Sequence, residues 1–81
     1  MPTVLQQAGF EFRIYSNDHE PAHVHVWKAG NGVVIDLGDQ FSMPRIRTVK
    51  GLRRQQVRTA LEIAAQRQDF LLSEWRRIHG S

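Results

Sequence analysis

Ala22-His23-Val24-His25-Val26-Trp27-Lys28-Ala29-Gly30-Asn31-Gly32-Val33-Val34-Ile35-Asp36-Leu37 is the stretch that decides the fold. Val24 and Val26 alternate with His23, His25 and Trp27, the period of two that belongs to a half-buried strand. Ala29 to Gly32 supplies turn residues, and Val33 to Leu37 returns as the partner, so the segment reads as a β-hairpin. The valines face a core, and the two imidazoles share the opposite, open face, about 7 Å apart at Cα.

Working towards the N-terminus, Phe10, Phe12 and Ile14 alternate with Glu11, Arg13 and Tyr15. This predicts another strand, preceded by a short one around Thr3 to Gln6 with Gly9 in the turn. Ser16 to Pro21 is polar and proline-bearing and reads as a loop. Towards the C-terminus, Gly38-Asp39 breaks the hairpin. A weaker strand is expected between Phe41 and Val49, placed at an edge by Pro44. From Leu52 the period becomes helical: Val57, Ala60, Leu61 and Ala64 form one apolar stripe, with Arg53, Arg54, Gln55 and Arg58 outside it. Asp69 is expected to cap a second helix, whose buried stripe is Leu71, Trp75 and Ile78. Arg76, Arg77 and His79 suit its last turn, and Gly80 ends it. The expected fold is α+β: an antiparallel sheet of three to four strands, then two helices packed on one face.

The chain has 81 residues and no cysteine. That length suits one domain spanning residues 1–81, with a thin core. Without cysteine there are no disulfides, thiolate metal sites or cysteine nucleophiles. No apolar run spans a membrane and no signal peptide is visible, so a cytoplasmic location is expected. Charge is unevenly spread: residues 1–39 hold two cations and five anions, whereas residues 40–81 hold nine cations and three anions. Arg45, Arg47, Lys50, Arg53, Arg54 and Arg58 are the candidates for binding nucleic acid or an acidic protein partner. A solvated helix face is the plainer account of the same residues.

Three of the four histidines fall within seven residues, His19, His23 and His25. If the loop folds back, this spacing gives three nitrogen ligands with one coordination position left for water, as a catalytic zinc or similar divalent transition metal requires. Asp18 and Glu20 could add a ligand or orient the imidazoles. A metal-free arrangement is equally open: a histidine acting as general acid or base, with Arg13 or a second histidine beside the reacting anion. Candidate catalytic residues are therefore His19, His23, His25 and Asp18; candidate metal ligands are the three histidines. A purely structural role stands beside both, with histidines stacked on Trp27 and Tyr15. Gly30-Asn31-Gly32 lacks the spacing of a phosphate loop. Phe70 and Trp75 read as core, and Ser42, Thr48 and Ser73 have no visible triad partner.

The run Asn17-Asp18-His19-x-Pro21-x-His23-x-His25-Val26, the opening Met1-Pro2-Thr3 and the aromatic strand ending in Tyr15 resemble a small bacterial family, domain of unknown function 4160. The tail is similar too, in Leu52-Arg53-Arg54, Ala60-Leu61-Glu62-Ile63, Phe70-Leu71-Leu72, Trp75 and Ile78-His79-Gly80. Two positions depart from it: Ala22 where a second proline is usual, and Val24 where phenylalanine is usual. The resemblance implies a functional site at Asp18, His19, Pro21, His23 and His25. It also implies a small antitoxin-like protein partner, of the family numbered 2442, in what look like type II toxin–antitoxin modules. The present family would be the toxin, directed against RNA or translation. Three functions follow as expectations: a ribonuclease-like toxin, a non-catalytic module docking an acidic partner, and a small metalloprotein.

Overall fold

In a computed structural model, which describes residues 2–80, five strands are followed by two helices: β1 (Thr3–Gln7), β2 (Phe10–Arg13), β3 (His23–Lys28), β4 (Asn31–Asp36), β5 (Arg45–Lys50), α1 (Arg54–Gln66) and α2 (Gln68–His79). The strands form one antiparallel meander in the order β1-β2-β3-β4-β5. The fold is α+β as expected, with five strands where three to four were foreseen. Met1 of the family-like opening lies outside the described residues.

Turn chemistry sets the first and third connections. Ala8 and Gly9 have φ of 55° and 79°, and Ala29 and Gly30 have φ of 51° and 83°. Two consecutive positive φ values make the tight two-residue turn whose twist matches the strands it joins. The β3–β4 turn is therefore shorter than the four residues expected. Asn31 and Gly32 belong to β4, paired with Lys28 and Trp27. The Trp27 ring lies over Gly32, where an added Cβ would sit 2.9 Å from the indole.

Directly paired residues share a face of the sheet. The pairs Phe12–Val26, Val26–Val33 and Val24–Ile35 place one apolar row on the core side. Both helices pack there: Ala60, Ile63 and Ala64 of α1 and Leu71 and Trp75 of α2 join Phe10, Phe12, Ile14, Val24, Val26, Val33, Ile35 and Leu37 in one buried cluster. The opposite face carries Glu11 and Arg13, Trp27 and His25, Val34 and Thr48 in adjoining rows. Arg13 ion-pairs with Glu11 at 2.9 Å and lies 5.7 Å from the Trp27 ring centre.

Arg67 alone separates the helices, its N–H donating to the Ile63 carbonyl and its carbonyl accepting from the Leu71 N–H. The second helix therefore begins before Asp69, which stands in its first turn instead of capping it. There the carboxylate still opposes the positive end of the helix dipole. Phe70 falls outside the Leu71–Trp75–Ile78 stripe and is 41% exposed, so it is not core. Among the described residues no helix is long and apolar enough to cross a membrane.

Gly38 ends the β4 hairpin arm at φ 70°, and a Cβ there would lie 2.7 Å from the Ser42 carbonyl oxygen. Gly38→Ala combines left-handed strain with a backbone clash. It should cost about 2 kcal/mol or more, visible as a lower urea midpoint at unchanged slope.

Candidate functional site

Ile14 to Ala22 connects β2 to β3 and folds over the start of β3. Ile14, past the end of β2, donates its N–H to the Pro2 carbonyl at 2.9 Å. The loop then turns on Asp18, whose N–H donates to the Tyr15 carbonyl while its Oδ2 accepts from the Tyr15 N–H, both at 3.0 Å. That reciprocal pair is the local turn an aspartate favours. It aims the other carboxylate oxygen, Oδ1, at β3.

Two imidazoles converge on that oxygen. His25 Nε2 is 3.3 Å from Asp18 Oδ1 and His23 Nε2 is 3.5 Å from it. The ligand atoms of Asp18, His23 and His25 all lie within 4.8 Å of one another. His23 Nδ1 stands 3.0 Å from the Pro21 carbonyl oxygen. A carbonyl can only accept, so Nδ1 carries the hydrogen, and in the neutral ring Nε2 presents a lone pair. A lone pair aimed at a carboxylate oxygen is repulsive unless a proton or a cation stands between them.

The aromatic surroundings fix the two rings. Tyr15 meets His25 edge-on at 4.9 Å, and His23 meets His25 at 5.2 Å. Trp75 of α2 packs against His23 at 5.3 Å, and His79 stacks on Trp75 at 3.9 Å. His79 Nε2 also reaches the Asp18 carbonyl at 3.1 Å, tying the end of α2 to the loop. Burial pushes the Asp18 carboxyl up. The Tyr15 N–H and the two imidazoles outweigh that and hold it below the usual carboxylate range.

These positions alter the expectations in two ways. First, His23 does not face open solvent with His25: it is 5% exposed, because the loop and Trp75 close over the first residue of the strand. His25 stays half-buried and is the more accessible of the pair. Second, His19 does not join the cluster. Its neighbour Asp18 is pinned inward through both carboxylate and carbonyl, and His19 is left exposed. The residues brought together are one carboxylate and two imidazoles, not three imidazoles. Trp75 and His79 had been read only as core and as a last-turn cation. The i, i+4 spacing that stacks His79 on Trp75 was the available signal.

The predicted basic residues divide between two elements. Arg45, Arg47 and Lys50 are exposed on the edge strand β5; Arg53, Arg54 and Arg58 are exposed at the start of α1. Arg47 bonds Asp36, and Arg45 and His23 both pair with Asp36 across the sheet. Arg45 is thus two strands from the cluster, on its side of the sheet, whereas the α1 arginines lie on the helical layer.

Comparison with curated proteins and with solved structures returned no match. The profile of the family described as Domain of unknown function (DUF4160) matches residues 9–76, which contain the Asp18–His23–His25 cluster and Trp75, and the chain belongs to that family.

Proposed function

We propose that Asp18, His23 and His25 form a divalent transition-metal site, of the zinc type, with at least one coordination position left for water. The observation that carries this reading is the convergence of two Nε2 atoms on one carboxylate oxygen, at 3.3 and 3.5 Å. Ligands at about 2.0–2.1 Å from a tetrahedral ion stand about 3.3–3.4 Å apart, so two edges of such a site are already set. The Pro21 carbonyl on His23 Nδ1 is the outer partner that fixes a metal-binding tautomer. Metal-free catalysis by a histidine pair fits less well, since both nitrogens of His23 are committed and only His25 Nδ1 is left to move a proton.

A three-ligand divalent centre supplies hydrolytic chemistry, by activating a bound water and polarising a phosphoryl or carbonyl oxygen. RNA is the substrate favoured by the toxin-like family pattern, with Arg45 on the same side of the sheet to meet phosphate. Elemental analysis of protein purified without an affinity tag should find close to one metal ion per chain. Zinc should raise the melting temperature of stripped protein, and neither result should survive His23→Ala with His25→Ala. Protein without metal and without a zinc response would overturn the site. Induced expression should arrest growth, and the same double substitution should relieve the arrest. Normal growth with intact RNA would remove the RNA assignment and leave the metal assignment standing.

A further inference from the structure

The outer side of α2 carries a row of charge that is the same read from either end, apart from sign. Asp69, Leu72 and Arg76 stand at i, i+3 and i+7, the spacing that aligns side chains along one face of a helix. Asp69 and Arg76 are exposed and Leu72 is half-buried. Their neighbours Glu74 and Arg77 pair with each other at 2.8 Å. Among the described residues neither Asp69 nor Arg76 has an ion-pair partner. The same three residues line a groove of about 450 Å³ whose other wall is the β4–β5 loop, with Phe41 87% exposed at its lip. Loop and helix are locked into one rigid surface: Gln68, at the start of α2, places Nε2 2.7, 3.0 and 2.8 Å from the carbonyls of Leu37, Asp39 and Ser42. Asp39 Oδ1 accepts from the Phe41 N–H at 2.8 Å, which fixes the aromatic residue at the backbone.

A partner of one charge sign cannot satisfy this row. An acidic surface would face Asp69 with like charge, and a basic one would do the same to Arg76. An identical row laid antiparallel satisfies both ends: Asp69 of each copy meets Arg76 of the other, and the two Leu72 side chains come together beside the centre. A two-fold axis requires such a self-complementary patch. The projecting Phe41 and the groove next to it supply the matching shapes on one surface, and rigidity before contact leaves little order to impose on association. We propose that two copies of this chain form a dimer about that axis, their α2 helices antiparallel and each Phe41 seated in the groove of the other copy. The Asp18–His23–His25 cluster takes no part in this contact.

Sedimentation of the full chain over a concentration series reads the dimer constant directly. The parent chain should dimerise, and Phe41→Ala should weaken the dimer at least about thirtyfold. Asp69→Arg sets like charges against each other at both ends of the row and should leave a monomer; Arg76→Asp should do the same. Mixed one to one, these two variants regain opposite charges at both ends and should associate as a heterodimer. All three positions are exposed, so circular dichroism should report unchanged folding for each variant. A photo-crosslinking phenylalanine analogue at position 41 in the native cells should join two copies of the chain. A chain that stays monomeric at every soluble concentration would overturn the proposal, as would a dimer unmoved by Phe41→Ala or by both charge reversals. So would charge variants that fail to combine when mixed, or an adduct to a different protein or to RNA in place of a second copy.

Discussion

Trp75→Ala should lower the melting temperature by well over 10 °C, the largest stability loss expected from a single substitution near the site. Trp75 is 3% exposed, belongs to the buried cluster, packs against His23 of β3 and carries the ring on which His79 of the same helix stacks. Truncating a buried tryptophan to alanine costs about 3–5 kcal/mol, since the cavity collapses only in part. A domain of this length has a total of about 4–12 kcal/mol to lose. In an 81-residue chain each kcal/mol moves the midpoint by about 4–8 °C. Thermal denaturation followed by far-ultraviolet circular dichroism measures it directly. Trp75→Phe, which keeps an aromatic wall against His23, should recover much of the loss. A midpoint within a few degrees of wild type for Trp75→Ala would mean that α2 is held by other contacts.

Asp18→Asn should remove metal binding while leaving the fold nearly intact; Asp18→Ala should damage both. The asparagine side chain can still accept the Tyr15 N–H through its amide oxygen, the bond that shapes the loop. It lacks the negative charge on which His23 and His25 converge. Outer-shell changes at metal sites cost about 10–100-fold in affinity, so loss of a direct ligand should exceed about a hundredfold. Alanine also leaves the Tyr15 N–H without its acceptor, a further cost of about 1–3 kcal/mol. Zinc titration and urea unfolding of the two variants separate these effects. If Asp18→Asn bound zinc as tightly as the parent chain, Asp18 would be a loop-shaping residue and not a ligand.

Much of the sheet was legible because period-two alternation is strong where one face is buried, as in Phe10–Ile14 and Val24–Val26. β5 was harder to see: as an edge strand it buries little, and within Arg45–Lys50 only Ile46 packs against the core. The apolar stripe of α2 was readable at Leu71, Trp75 and Ile78, but not its first residue, since a single residue, Arg67, serves both helix ends. At the site, strand register brought His23 and His25 together as expected from spacing two apart. Which loop residue joined them could not be read from spacing, because Asp18 and His19 are adjacent and a local turn together with one long-range bond decides which one turns inward. Those bonds come from Tyr15 on one side and His79 on the other. His79 is 61 residues away from Asp18 in sequence.

That separation has a consequence for how the protein assembles. Each strand of the meander pairs with its immediate predecessor, so the sheet closes through short chain loops, and Asp18, His23 and His25 lie within eight residues of one another. The wall formed by Trp75 and His79 closes a long loop, His79 meeting Asp18 across 61 residues, and the entropy of long loop closure makes such contacts form late. Before α2 docks, the two imidazoles are already near the carboxylate but without the packing that holds them in place. An ion bound then would bridge loop and strand ahead of the helix and reduce the disorder left for docking to remove. Occupancy and folding would then be thermodynamically linked, so that whatever fills the site also steadies the molecule.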